Sequence, residues 1–543
     1  MLTTLVALAA GVSGVYVRAE DLPAADVEPP TAFFDTSMTT RLPTGEPRCT
    51  PVRALQLRGI HAQDFGWLLV AATADRRDDD PGGRCLGTED IDLLRRRLQK
   101  VLEDQGFITS LVVLDSDELE TSGVLKLKLV PGLLRKVRTS ADTPLPVSLR
   151  NALPARPGQV LQLHDIEQGL DNLRRVPGVE AEIDIVPVEL DSPDAAQSDL
   201  LLQYRQSHFL RVHVAADNGG SAIGKYQASA TLAWDNPLSL NDLLSLSVGG
   251  GRGQQQNRGI RSTSLNYSVP WGYWLFGGTA SHVRFHQAVA GAGQSYEYGG
   301  VSNTSEVFAQ RVVWRGASGK SSLGARVFRR DSSSFLDGGE IDGQRRVTSV
   351  WELNANHRQT FGPAVWDLTL ALRQGTGAFG ALRSAEETPG EGTSRLRMTL
   401  ADVAYAQPMS VLGPAWRFSS NWHGQWNQTS LPFQDQIVLG PRHTVRGFDG
   451  RNSLLAERGW YWRNDLARTL MEGQEAYLAV DVGKVGGPSS ALLVGRALAG
   501  SVMGVRGERG PLRYDVFWGG PLHRPGQFQT SRAIAGFYLA YGF

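Results

Sequence analysis

Two spacings of apolar residues divide this chain. In residues 51–206, short alternating runs are interrupted by helical intervals. Ile91, Leu94, Leu98, Val101 and Leu102 mark one helix face, and Gly106 follows as its stop. Ahead of them Val52–Arg58 predicts a short strand closed by Gly59, and the polar run Asp75–Gly83 leads to Cys85. After them Phe107–Leu114 predicts a strand. Val124–Val130 sets Leu125, Leu127 and Leu129 against Lys126 and Lys128, the alternation of a half-buried strand, and Pro131–Gly132 ends it. The order then recurs. Leu134–Arg138 predicts a strand, Val147–Leu153 a helical turn, and Ile166, Leu170 and Leu173 a helix face broken by Pro177–Gly178. Ile183, Ile185 and Leu200–Tyr204 supply two more strands. The reading is two small α+β modules in tandem, 51–132 and 133–206, each with one thin core and an exposed sheet edge.

Beyond His208 the helical interval disappears. Tyr226, Ala228, Ala230, Leu232 and Trp234 alternate with Lys225, Gln227, Ser229 and Thr231. Leu244, Leu246 and Val248 alternate with serines and glycine, and Leu368, Leu370 and Leu372 with Asp367, Thr369 and Ala371. Turn residues interrupt at Asp235–Asn236–Pro237, Ser318–Gly319–Lys320, Asp337–Gly338–Gly339 and Gly483–Lys484. The chain ends on Tyr538, Tyr541 and Phe543, which suits the closing strand of an outer-membrane barrel, where aromatics favour the lipid–water boundary. At about 10 residues per strand plus connections, residues 207–543 hold about 16 antiparallel strands. A β-sandwich is excluded by the length of the pattern. The expected fold is a membrane all-β barrel preceded by two small α+β domains.

Leu2–Val17 is uncharged and mostly apolar, and Val17–Arg18–Ala19 offers a cleavage site, so residues 1–19 read as a signal peptide without the usual basic start. Residues 20–50 read as a linker, either disordered or with a short helix around Thr31–Met38. No later apolar run is long enough for a spanning helix. The 55 basic and 55 acidic residues balance, which removes the electrostatic case for nucleic acid. The 61 glycines and 13 tryptophans suit many turns and aromatic girdles, and suit a large soluble β protein as well. Cys49 and Cys85 are the two cysteines. An oxidising periplasm would join them in one disulfide, while two free buried thiols or half of a metal site stay open. No nearby Cys/His pair completes a zinc set.

Enzyme signatures fail on inspection. Gly316–Ala317–Ser318–Gly319–Lys320–Ser321 resembles a phosphate loop, but Trp314 stands where the motif needs its first glycine, so the run reads as a hairpin turn. The histidines form no His-x-x-x-His pair, and no Gly-x-Ser-x-Gly elbow occurs. No cofactor and no metal are expected.

With two modules ahead of a barrel, the chain resembles the outer-membrane transporters of two-partner secretion, the haemolysin and filamentous-haemagglutinin type. In the first module Gly106–Phe107–Ile108–Thr109–Ser110 and Leu125–Val130–Pro131–Gly132 are similar to family segments, and in the second so is Asp165–Ile166–Glu167–Gln168–Gly169–Leu170. Asp217–Asn218–Gly219–Gly220, Gly224–Lys225–Tyr226–Gln227 and Leu240–Asn241–Asp242–Leu243–Leu244 match at the barrel start. The most specific match is Val445–Arg446–Gly447–Phe448, the loop motif of the superfamily. Glu457–Arg458–Gly459 and Arg463–Asn464–Asp465–Leu466 also fit. Val480–Asp481–Val482–Gly483 resembles an inward-facing Gly-x-Asp strand motif, with Ala479 where glycine is usual.

The resemblance implies periplasmic polypeptide-transport-associated (POTRA) modules, a plug helix before them, and capture of an unfolded exoprotein that leaves through the barrel. The implied partners are an adhesin, cytolysin or contact-dependent toxin, outer-membrane lipid, and the barrel assembly machinery through Phe543. A porin would not need residues 51–206, and an insertase of related kind carries more modules.

A lone arginine in a lumen is costly unless paired. Arg446 is therefore expected to meet a carboxylate on the wall, with Asp481 the first candidate and Asp465 and Glu457 weaker ones. Gly447 admits backbone angles closed to other residues, and Phe448 would anchor the turn. The alternative is an exposed turn with a solvated Arg446.

Overall fold

The computed structural model describes residues 41–543 apart from 44–45, 47, 74–78, 116–122, 142, 144–146, 189–195, 221–222, 254–257, 291–294, 389, 391 and 411–412. The expected signal peptide and the helix around Thr31–Met38 lie outside the described residues.

The first module is a three-stranded sheet with Val124–Val130 in its centre, parallel to Ala54–Arg58 and antiparallel to Leu111–Asp115. Leu125, Leu127 and Leu129 face a helix, Thr88–Asp104, that contributes Leu94, Leu98 and Leu102 to the same buried core. Asp90 fixes the start of that helix by accepting from the Gly87 amide at 3.0 Å. Two features differ from the expectation. A 3-10 segment, Ala62–Thr73, packs Phe65 and Leu68 into the core. The strand expected from Phe107 begins only at Leu111, because Phe107–Ser110 forms a turn (Ser110 amide to Phe107 carbonyl, 3.1 Å). The core reaches back to Leu42, and a strand, Thr50–Val52, pairs with Arg84–Leu86.

The second module repeats the plan. Gly132–Thr139 runs parallel to Ala196–Gln206, which is antiparallel to Val179–Val188. The helix Leu163–Arg174 and the turn Leu149–Ala152 cover one face, around Leu173, Leu200 and Leu202. The modules meet where the Leu163 amide donates to the Gly106 carbonyl at 2.8 Å.

Among the described residues, sixteen long strands and one two-residue strand close an antiparallel barrel, from Leu210–Asp217 to Ile534–Gly542. The two end strands pair over Asp217–His213 and Tyr538–Gly542. Leu368, Leu370 and Leu372 stand exposed on the outer wall and Ala371 is buried on the inner, so the period of two sorts lipid-facing from lumenal side chains. The Gly316–Gly319 run is a tight hairpin between two strands. Gly483–Lys484, expected as a turn, lies inside the strand Gln474–Gly486. A Cβ on Gly483 would stand 2.8 Å from Leu439, so this glycine makes room for a lumenal loop rather than for a chain reversal.

The second module sits under the short turns at one barrel mouth. Asn172 donates to the Gly272 carbonyl at 2.7 Å and Asn151 to the Pro270 carbonyl at 3.0 Å. Tyr273 donates to Asp165 at 2.5 Å, and Asp171 is paired with Arg315 and with Lys320, the latter at 3.1 Å. Those turns therefore mark the module side of the barrel, and the longer loops the far side.

Candidate functional site

The loop between the strands Ala415–Asn427 and Arg458–Met471 carries the Val445–Phe448 motif. It turns inward instead of out. Its two arms pair as a small ladder, Ile437–Leu439 against Leu454–Ala456. Leu439, Val445, Phe448 and Leu454 are buried with Val485 and Leu498 of the wall and with Phe528. Phe448 meets Phe528 edge-on at 5.8 Å. This apolar stalk holds the tip against the wall.

At the tip Arg446 is 5% exposed and faces two carboxylates that are themselves 4% and 0% exposed, Asp465 and Asp481. Its Nε donates to Asp481 Oδ2 at 2.7 Å and its Nη2 to Asp481 Oδ1 at 2.7 Å. Nη1 and Nη2 donate to the two oxygens of Asp465 at 2.8 and 2.9 Å. The Arg446 amide also donates to Asp481, at 2.8 Å. The result is a double bidentate clamp, the arrangement for which a planar guanidinium is suited and an ammonium is not.

Both carboxylates come from adjacent strands at inward-facing positions, and Arg463 lies directly across from Asp481 in the ladder. Arg463 Nε is 3.8 Å from Asp481 and Arg506 Nη1 is 3.5 Å from Asp465. Arg506 and Arg417 share Glu475, and Tyr477 donates to Asp515 at 2.9 Å. These side chains border a lumenal cavity of about 870 Å³. Charge of both signs lines it.

The wall behind the tip is glycine. Gly447 adopts φ 94°, and a Cβ there would stand 2.6 Å from the Gly520 carbonyl oxygen. A Cβ on Gly500 would stand 2.0 Å from the Arg446 carbonyl oxygen. The tip backbone thus lies in a slot that Gly500 leaves open, with Gly447 against the Gly520 carbonyl. Sequence reading did not name these two glycines or Arg506, and named Arg463 only within a segment that matches the family. Their signal is inward parity on the last strands, legible only once each strand is placed. Glu457 does not reach Arg446; it accepts from the Ser489 amide and hydroxyl, the latter at 2.7 Å.

In the first module the sulfurs of Cys49 and Cys85 are bonded, which ties the segment before Thr50–Val52 to the strand it pairs with. Among the described residues no group of three His, Cys, Asp or Glu side chains is arranged to hold a metal.

A family model described as haemolysin secretion/activation protein ShlB/FhaC/HecB matches residues 196–507. The chain belongs to that family. Models for POTRA domains match residues 52–132, in the ShlB-type form, and 134–187. The chain is 34% identical over 468 residues to the outer membrane transporter CdiB-2 of Burkholderia pseudomallei (strain 1026b), covering 85% of this chain and 79% of that protein. It is 25% identical over 458 residues to the hemolysin transporter protein ShlB of Serratia marcescens, covering 81% and 76%. The solved structure of CdiB from Acinetobacter baumannii superposes with a TM-score of 0.83 at 27% identity, over 93% of this chain and 92% of that one. This member of the ShlB/FhaC/HecB family is a two-partner secretion transporter of the outer membrane, with its POTRA modules in the periplasm. The barrel mouth that they flank is therefore the inner one, and the Arg446 loop enters from outside.

Proposed function

We propose that this transporter exports one secreted exoprotein, an adhesin, cytolysin or contact-dependent toxin, and that the Arg446 clamp sets whether the conduit is open. The observation that carries this reading is the guanidinium held by both Asp465 and Asp481 at the tip of a loop folded into the lumen. A buried charge held by so many oriented bonds has few resting positions, and the lumen offers further carboxylates, Glu475 and Asp515, as second partners. Exchange between them would move the loop and clear a path. An unfolded chain offers mainly backbone, so an exposed POTRA sheet edge would receive it by added main-chain hydrogen bonds.

The chain carries out no catalysis in this reading. Folding of the exported polypeptide outside the cell prevents its return and supplies the direction. Lipid surrounds the outward leucines, and the assembly machinery reads Phe543, a residue that is 73% exposed. The family description and the relatives named as transporters support the exported-protein reading. The test is Arg446→Ala in cells that express the cognate exoprotein. Export is expected to collapse while the barrel still migrates as a heat-modifiable species; wild-type export would overturn the role given to the clamp. Export that stops on ATP depletion, after the substrate has reached the periplasm, would overturn the proposed driving force.

A further inference from the structure

Residues 243–296 hold four arginines, Arg252, Arg258, Arg261 and Arg284, and no aspartate or glutamate. They form three neighbouring strands, Leu243–Arg252, Arg258–Trp271 and Trp274–Ala290. In the ladder Arg261 stands directly opposite Arg284. Both share the outer face with Leu265 and Phe276, which are exposed on the lipid side. Among the described residues, the side chains of Arg252, Arg261 and Arg284 make no ion pair or hydrogen bond, and all three are exposed.

Like charges directly opposite in a ladder repel, with Cβ atoms about 5 Å apart. A sheet that keeps such a pair on its lipid side, with no acid of its own nearby, is complementary to an anion supplied from outside. Height says where that anion lies. Trp271 and Trp274 pair at the periplasmic end of the same hairpin. Arg261 and Arg284 are each ten residues further along their strands (271 − 261 and 284 − 274). At about 3.3 Å per residue and a tilt near 40°, that is roughly 25 Å of height, the thickness of a barrel's apolar band. The aromatic pair marks one lipid–water boundary and the arginine pair the other, on the cell-surface side.

A second feature adjoins the first. The cross-strand row through Arg261 continues as Gly250, Ala228, Ala216 and Leu539, all on the outer wall. These small side chains, with Val214, Ala230 and Val248 in the row below, floor an apolar groove of about 640 Å³. It runs over the strands that close the barrel and meets the arginines at Gly250. A charged head site at the outer boundary therefore sits at the upper end of an apolar trough, which descends past Leu539 to Leu512 beside the periplasmic-side turn at Gly510.

We propose that this face binds a phosphorylated glycolipid of the outer leaflet. Arg261 and Arg284 hold a headgroup phosphate between them, as paired guanidinium forks do. Arg252, diagonal to Arg261 across Gly259, reaches a second phosphate. An acyl chain lies in the groove over Ala216, Ala228 and Gly250. The lipid neutralises the arginine pair and covers the small-residue strands beside the seam.

The test places the full chain in phosphatidylethanolamine nanodiscs doped with diphosphoryl lipid A, and counts bound lipid A by native mass spectrometry. The wild-type chain is expected to retain it, and Arg261→Gln/Arg284→Gln to retain at least about tenfold less. Arg329→Gln is the charge control, because Arg329 is paired with Asp331 on another part of the wall, and it is expected to bind as the wild type does. Ala228→Leu fills the groove, and is expected to weaken lipid A binding while both arginines remain. Equal retention by the double variant and the wild type would overturn the proposal. So would release of the lipid by inorganic phosphate alone, which would make the site one for simple anions. Unchanged binding by Ala228→Leu would overturn the acyl groove.

Discussion

Arg97 in the first POTRA module and Arg446 in the barrel are both nearly sealed from solvent, at 1% and 5% exposure, but their surroundings are opposite in kind. Arg97 reaches Asp79 at 2.5 Å and the Ala72 carbonyl at 3.0 Å, among packed leucines. Asp79 also accepts from the Leu42 amide at 3.2 Å, so the pair tethers the segment leading into the module. Burial pushes the Asp79 carboxyl up, but the Arg97 bond and the Leu42 amide outweigh it and hold the group below its usual range. Arg446 has two carboxylates instead of one, and its outer surroundings are other arginines and acids that line water-accessible space. A charge in a leucine core has no second place to go. A charge in a polar lumen has a few, so the same residue type is a rivet in one region and, in the role proposed for Arg446, a movable contact in the other.

The largest expected effect breaks the rivet. Arg97→Ala leaves buried Asp79 with only the partly exposed Arg84, at 3.2 Å, as its ion-pair partner, a loss toward the low end of about 3–5 kcal/mol. Limited proteolysis should then cut the first module while the barrel stays heat-modifiable; a protease-resistant module would show that Arg97 is not structural. Opening the Cys49–Cys85 bond by a double serine exchange should cost about 3–4 kcal/mol in the chain-entropy model. Thermal scans of the isolated periplasmic region, with and without reductant, would measure it.

The clamp can then be dissected. Asp481→Ala removes the partner of both the Arg446 side chain and its amide, whereas Asp465→Ala removes only side-chain bonds. Charged hydrogen bonds contribute about 1.5–3 kcal/mol each, so export should fall further in the first variant. Equal export by the two would mean that the amide bond to Asp481 is not part of the mechanism.

The smallest effect concerns the joint between the second module and the barrel. Burial raises Asp171, but Lys320 and Arg315 outweigh it and hold the group below its ordinary value. Its contribution to docking is present above the undocked carboxylate value and is lost as pH falls through the docked one, so it fades below about pH 4. Asp165 is raised, chiefly by burial and against the Tyr273 bond, and acts in the opposite sense: its contribution is lost as pH rises through its docked value. Exposed pairs contribute about 1 kcal/mol or less. Distance measurements between spin labels on the Leu163–Arg174 helix and the 272–273 turn should show loosening on acidification, reduced in Asp171→Asn. Loosening of the same size in that variant would exclude Asp171 as the cause.

Much of the architecture is legible in one pass along the chain. Leucines at helical intervals give the Thr88–Asp104 helix, and alternation gives the barrel, because both periods arise from local backbone geometry. The Ala62–Thr73 segment was not legible, since its apolar residues follow neither period. Gly483 misled in the opposite way. A glycine reads as a turn, yet here it is a vacancy into which Leu439 of the loop fits.

The sequence by itself placed Arg446 in a glycine-bearing loop and named Asp481 first, with Asp465 and Glu457 as weaker candidates, for the wall carboxylate it would meet. Tertiary structure decided that both carboxylates, not one, close on the same guanidinium, that Glu457 turns away to Ser489, and that Arg261 faces Arg284. The reason is the range of the forces. Which wall of a strand a residue faces follows from its own backbone and immediate neighbours, but which residues meet across a wall depends on register, and register is fixed by pairing summed around a closed cylinder.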